Sequence, residues 1–212
     1  MDISEQIDTF NRFTRVSRET IQSLVIYEKM LIKANKSLNL VGKSTINNIW
    51  IRHFLDSSQV IDFIDKNDKT LIDIGSGAGF PGLVIAILAK ERRLSLKIKL
   101  IDKSPNKTKF LKSLIKELRL NTDVVCQNIL EKKQKMNQDI IIARAFKPLS
   151  KILEIIHEKG ENWKKIFLFL GKSGKNELHE ASKNWDIQYK QRVSITSSDS
   201  IVIEINRLKK IE

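Results

Sequence analysis

A chain of 212 residues, 41% of them hydrophobic, can hold one α/β domain with an extension and bury a core, which excludes global disorder. No run approaches ~18 apolar residues, so no membrane-spanning helix is expected, and the start Met-Asp-Ile-Ser-Glu-Gln has neither the basic nor the apolar part of a secretory signal. One cysteine and three histidines exclude an internal disulfide and leave no basis for a zinc centre, while a net charge of +13 suits a polyanionic partner.

Residues 2–66 read as helices. Ile3, Ile7, Phe10 and Phe13 recur at three- and four-residue steps and predict one buried stripe. Ser17 offers an N-cap to a second helix, in which Ile21, Leu24, Glu28, Leu31 and Asn35 share a side broadened by Val25, Tyr27 and Ile32. Asn39-Leu40-Val41-Gly42 interrupts it. Ser44 is expected to cap a short helix through Trp50, and Ile51–Ile64 to form another. The polar run Asp65–Lys69 marks a boundary, giving a helical extension over 1–68 and an α/β domain over 69–212.

Strands are predicted at Thr70–Ile74, Leu96–Ile101, Asp123–Gln127, Asp139–Ala143 and Ile166–Leu170, with helices between them. The clearest helix has Ser104 as N-cap and Pro105 at its first position. Its inner face is Phe110, Leu111, Leu114, Ile115 and Leu118, which leaves Lys107, Lys109, Lys112, Lys116 and Arg119 toward water. Charge is concentrated here. Residues 1–68 balance 9 Lys/Arg against 9 Asp/Glu, whereas residues 90–119 hold 11 basic residues and 3 acidic ones. That confinement favours nucleic acid as partner over a generally Lys-rich surface. Asp186–Ile195 and Ser200–Arg207 read as a terminal strand pair turning at Ser197–Ser200. Alternation followed by a hairpin predicts a mostly parallel sheet with an antiparallel C-terminal edge. Cys126, in an apolar strand, reads as an inert buried thiol, and His157 and His179 as surface helix residues.

The segment Leu71-Ile-Asp-Ile-Gly-Ser-Gly-Ala-Gly-Phe-Pro-Gly82 decides the class. It is a strand running into a glycine turn, followed by an apolar helix over Leu83–Ala89. Gly77–Gly82 matches the dinucleotide pattern G-x-G-x-x-G. That match starts two residues after the strand, and Pro81 falls where a pyrophosphate would need the helix N-terminus. Asp73-Ile-Gly75-Ser-Gly77-Ala-Gly79 instead resembles the first motif of S-adenosylmethionine (SAM) methyltransferases. That ligand needs close backbone approach and an acid for its amino group. Asp102, ending the second strand, can accept from both hydroxyls of a ribose and suits either nucleoside.

Several segments together resemble the RsmG (GidB) family of bacterial 16S rRNA guanine-N7 methyltransferases. They are Asn39-Leu-Val41, Arg52-His-Phe-Leu-Asp-Ser57, Ile72–Gly82, Asp102 with the basic helix after it, and Ala143-Arg-Ala-Phe146. The resemblance implies a class I, Rossmann-like SAM-dependent methyltransferase with an N-terminal helical extension. It implies methyl transfer from SAM to N7 of one guanine, the one conventionally numbered 527, of 16S rRNA or the small ribosomal subunit. It also implies cofactor contacts at Gly75 and Phe80, Ile129 and Leu130 against the adenine, and Arg144 after the fourth strand. With Asp73, Gly77, Gly79 and Asp102 these make up the expected cofactor site. Leu130 stands where the family often has an acid. Arg144 is expected nearest the chemistry, as a positioning group. His53 and Asp56, at i and i+3, are read as a hydrogen-bonded pair joining the extension to the site. The expected protein is a cytoplasmic monomer needing no metal. The alternatives left by the residues are a methyltransferase for another substrate, an NAD-linked oxidoreductase, and a catalytically silent RNA-binding relative.

Overall fold

Apolar residues alternate along each central strand, and the two phases fill two cores. The computed structural model describes residues 1–131 and 135–211. Seven strands form one sheet in the order β3-β2-β1-β4-β5-β7-β6. Strands β1 (Thr70–Ile74), β2 (Lys97–Asp102), β3 (Thr122–Cys126), β4 (Ile140–Arg144) and β5 (Lys165–Leu170) are parallel. The last two, β6 (Trp185–Ser194) and β7 (Ser197–Lys210), form the antiparallel edge. Leu71, Ile98, Leu100, Ile140, Ile142 and Phe167 point to one face. Ile72, Ile74, Ile141, Ala143, Ile166 and Leu168 point to the other.

The first face is covered by the N-terminal helices α1 (Ile3–Thr14) and α2 (Arg18–Leu38), with α5 (Gly82–Glu91) and α6 (Pro105–Leu118). The second is covered by α7 (Leu149–Lys159) and α8 (Gly174–Ala181). Helix α6 follows its sequence signals, with Ser104 capping the Lys107 amide and Pro105 in the first turn. Ser17 caps α2 as expected and also donates to Glu91 at 2.7 Å, tying α2 to α5. No helix among the described residues is long and apolar enough to cross a membrane.

Several expectations need correction. In α1 only Phe10 of the predicted stripe is fully buried. Ile3 and Phe13 are exposed and Gln6 lies inside, its amide bonded to the Asn47 carbonyl at 2.9 Å. The stretch 43–64 is not two helices. It is a short α3 (Lys43–Ile46) started by Gly42 rather than Ser44, a π-helical segment over Trp50–Leu55, α4 (Asp56–Ser58), and a 3-10 turn over Ile61–Phe63. Trp50 and Phe54 pack edge to face there, and Phe10 meets Trp50 in the same way. The terminal hairpin turns at Ile195-Thr196, because Ser194 already pairs with Ser197. Cys126 is exposed, since β3 is an edge strand whose residues are covered only in part.

Candidate active site

Strand order reverses between β1 and β4, and the carboxyl ends of the strands open there into a cavity of about 550 Å³. Its floor is the turn after β1. The Gly75 and Ser76 amides both donate to the Ile101 carbonyl, at 2.8 and 3.0 Å, which locks the turn onto β2. Gly75 and Gly77 have φ of 77° and 57°, the left-handed region where side chains are strained. At Gly75 an added Cβ would lie 2.1 Å from the Phe146 ring. At Gly77 it would meet only the Gly75 carbonyl, 3.8 Å away, so bare main chain faces open space.

Asp102 stands beside this turn. One carboxylate oxygen accepts from the Gly77 amide at 2.9 Å and the other from the Ser104 amide at 2.8 Å. Each oxygen keeps a lone pair for a further donor from the cavity. Past β3 the wall is Gln127 to Leu130. Asn128 accepts from the Leu130 amide at 3.1 Å, and the buried Lys159 ammonium donates to the Ile129 carbonyl. Lys103 and Lys107 also border the cavity.

The opposite wall comes from the N-terminal segment. The Tyr27, Phe80 and His53 rings stack in series, with centroids 5.4 and 4.7 Å apart. Tyr27 Oη donates to the Ala78 carbonyl at 2.7 Å and pins the glycine turn from behind. Arg144, at the end of β4, reaches across to the π segment. Its guanidinium pairs with Asp56 at 3.0 Å, lies 3.2 Å from His53 Nδ1, and donates to the Arg52 carbonyl at 2.6 Å. Burial, together with the Arg144 and Arg52 charges, holds the His53 imidazole down at about 3. The ring is therefore neutral. It accepts from Arg144 at Nδ1, and Nε2–H donates to Thr45 Oγ1, 3.0 Å away.

Of the residues expected at the site, Gly75, Gly77, Phe80, Asp102, Ile129, Leu130 and Arg144 line this cavity. Asp73 and Gly79 do not. Asp73 is fully buried on the α5 side of β1 and accepts from the Gly82 amide at 3.0 Å, so it braces the turn from below. Gly79 faces inward, where a Cβ would meet Tyr27 Oη at 2.5 Å. The Asp56 amide donates to the His53 carbonyl, but their side chains are not bonded to each other, because Arg144 stands between them. Tyr27 and Gln127 join the site through long-range packing and carry no local signal in the sequence. The basic helix gave a usable signal for Lys107.

Asp73 also gives the fold a pH signature. Burial pushes its carboxyl up to about 7, the Gly82 amide offsetting part of the rise and the Asp102 charge adding to it. A group raised in the folded state stabilises fully below its unfolded pKa and loses that contribution as pH climbs through the folded value. Asp73→Asn removes this linkage. The stability difference between native chain and variant is therefore expected to shift against the native chain by about 1.4 kcal/mol per pH unit from about pH 4 to pH 7. Urea melts across that window check this; a difference independent of pH means that Asp73 stays ionised.

The GidB family profile, described as "rRNA small subunit methyltransferase G", matches residues 20–204. The chain belongs to this family. It is 39% identical over 197 residues to the "Ribosomal RNA small subunit methyltransferase G" of Pelagibacter ubique (strain HTCC1062), covering 92% of each chain. The protein of the same name from Rickettsia felis is 37% identical over 196 residues, 92% of this chain and 98% of that one. Among solved structures, a TehB-like SAM-dependent methyltransferase from Corynebacterium glutamicum superposes with a TM-score of 0.54 at 15% identity, covering 72% of this chain and 87% of that one. TrmK of M. capricolum, solved with S-adenosylhomocysteine, gives 0.52 at 21%, covering 71% and 66%. The GidB-family chain thus has the class I SAM-dependent methyltransferase fold.

Proposed function

We propose that this chain transfers a methyl group from SAM to N7 of a single guanine of 16S rRNA, acting in the cytoplasm as a monomer on rRNA or the small ribosomal subunit. The observation that carries this reading is the pairing of Gly77 with Asp102 at the β1/β4 switch, in a chain of the methyltransferase G family. The residues present suit the cofactor. Bare main chain at Gly77 permits close approach, and the two Asp102 oxygens each keep a lone pair, as vicinal ribose hydroxyls require. Gln127 to Leu130 would border the adenine, and Gly75 and Phe80 the methionine side. Asp73 and Gly79 would act through the turn they support.

Bound there, SAM supplies a methyl group on a positively charged sulfur. Guanine N7 presents an in-plane lone pair, so no side chain has to remove a proton. That agrees with His53, whose Nδ1 is occupied by Arg144 and whose pKa lies far below neutrality. The side chains position instead. Arg144 is fixed by Asp56, His53 and the Arg52 carbonyl and borders the cavity with its side chain partly accessible. Asp56 balances its charge, so the pair adds little net charge where a cationic product base forms. Lys103, Lys107 and Lys147 at the rim suit RNA phosphates.

Incubating the protein with methyl-labelled SAM and either small subunits or free 16S rRNA, then mapping the label by mass spectrometry, tests the reading. One N7-methylguanosine is expected. Label in protein, at another atom, or absent from both substrates contradicts it.

A further inference from the structure

The Arg52–Ser57 block fixes more than Arg144, and its other contacts surround a second cavity. This cavity, about 210 Å³, opens on the far side of Arg144 and shares Arg144 and Ala145 with the donor cavity. Ala145 turns the chain at their junction with φ 49°, the kind of backbone strain that gathers at functional sites. A third recess, behind Ile101 and Ile129, also adjoins the donor cavity. At about 50 Å³ it has room for water and none for a ring system.

The second cavity is walled by a turn held from two directions. Asp56 Oδ1 accepts from Ser194 Oγ at 2.8 Å, Thr196 Oγ1 at 2.9 Å and Gln59 Nε2 at 2.9 Å. Gln59 Oε1 accepts from the Ile195 amide at 2.8 Å. These bonds hold a hairpin tip that leaves Ile195 exposed in one place, as a preorganised wall requires. At the mouth, Arg52 has its carbonyl fixed by Arg144, while its exposed guanidinium has no carboxylate partner among the described residues. With Asp56 offsetting Arg144, that guanidinium leaves one positive charge in excess. Gly171, exposed, borders the cavity, and an added Cβ there would meet nothing within 4 Å.

We propose that this second cavity receives the acceptor base, a purine turned out of the RNA stack, with Arg52 on the phosphate of that nucleotide and the Ile195-Thr196 turn as the far wall. This rests on the function proposed above and adds the place and the residues of acceptor binding. The cavity adjoins the donor across Arg144 and Ala145, has the size of a nucleobase rather than of a drug-sized ligand, and carries its free cation at the entrance.

Gly171→Leu tests it by placing a bulky side chain at the border of this cavity, at a residue that does not line the donor cavity. Its melting temperature and S-adenosylhomocysteine affinity should stay at native values. Its kcat/KM for rRNA methylation should fall by at least about a hundredfold, the scale of a misplaced reactant. An rRNA fragment carrying 2-aminopurine at the target position should brighten with the native protein and stay dark with the variant. If the leucine unfolds the chain, Arg52→Ala decides. Rim exposure predicts an intact fold, fragment affinity reduced about tenfold and a salt dependence shallower by about one phosphate. Native methylation and fluorescence in Gly171→Leu, or unchanged fragment affinity and salt slope in Arg52→Ala, overturn the acceptor assignment. A native protein that methylates no rRNA overturns the function it rests on.

Discussion

Replacing Gly77 by valine is expected to lower SAM affinity by at least about a hundredfold while the protein stays folded. The reason lies in the backbone. At φ 57° a side chain costs about 1–2 kcal/mol, and a β-branched one is worse still. Relaxing that strain rotates away the amide that donates to Asp102. The new methyl groups point where only the Gly75 carbonyl stands, so they occupy cavity rather than core. The fold therefore loses little and the ligand loses its approach. Equilibrium dialysis with labelled SAM, beside a circular dichroism melt, separates the two effects. Native affinity in a folded variant would remove the turn from the site.

Asp56→Ala should produce the largest loss of stability, about 3–5 kcal/mol, because it strands the largely buried Arg144 guanidinium. It also takes the acceptor from Ser194, Thr196 and Gln59 together. In a chain of this size the melting temperature should drop by about 10 °C. Asp56→Asn keeps an acceptor oxygen and should lose less. Denaturant titration checks both variants. A loss below about 1 kcal/mol in the alanine variant would mean that solvent replaces the carboxylate, and that the clamp between β4, the π segment and the terminal turn is loose.

The parts legible in the sequence are those governed by local chemistry. Ser104-Pro105 started α6 where the structure starts it, and the Leu71–Gly82 segment announced its strand, turn and buried helix. Parallel order with an antiparallel edge followed from element alternation. What escaped depended on partners far along the chain. The turn at Ile195-Thr196 is chosen by Asp56 and Gln59, more than 130 residues away, over the more turn-like Ser197–Ser200. The π segment over Trp50–Leu55 carries the apolar spacing of an ordinary helix. Its wider turn sends Trp50 and Phe54 inward while His53 and Asp56 reach Arg144. Alternation along β1 does place Asp73 with Leu71 on the α5 face, yet the motif alone suggested a ligand contact. Cys126 and Phe13 show the converse: an apolar setting in sequence does not bury a residue at a sheet edge or beyond a helix's contact stripe.

Calorimetric titration of the native protein with S-adenosylhomocysteine, beside a matched titration with NADH, tests most directly whether the Gly77–Asp102 cavity is a methyl-donor site. One binding event per chain with the first ligand and no heat with the second is the predicted result. Silence with S-adenosylhomocysteine, or equal binding of the dinucleotide, contradicts it.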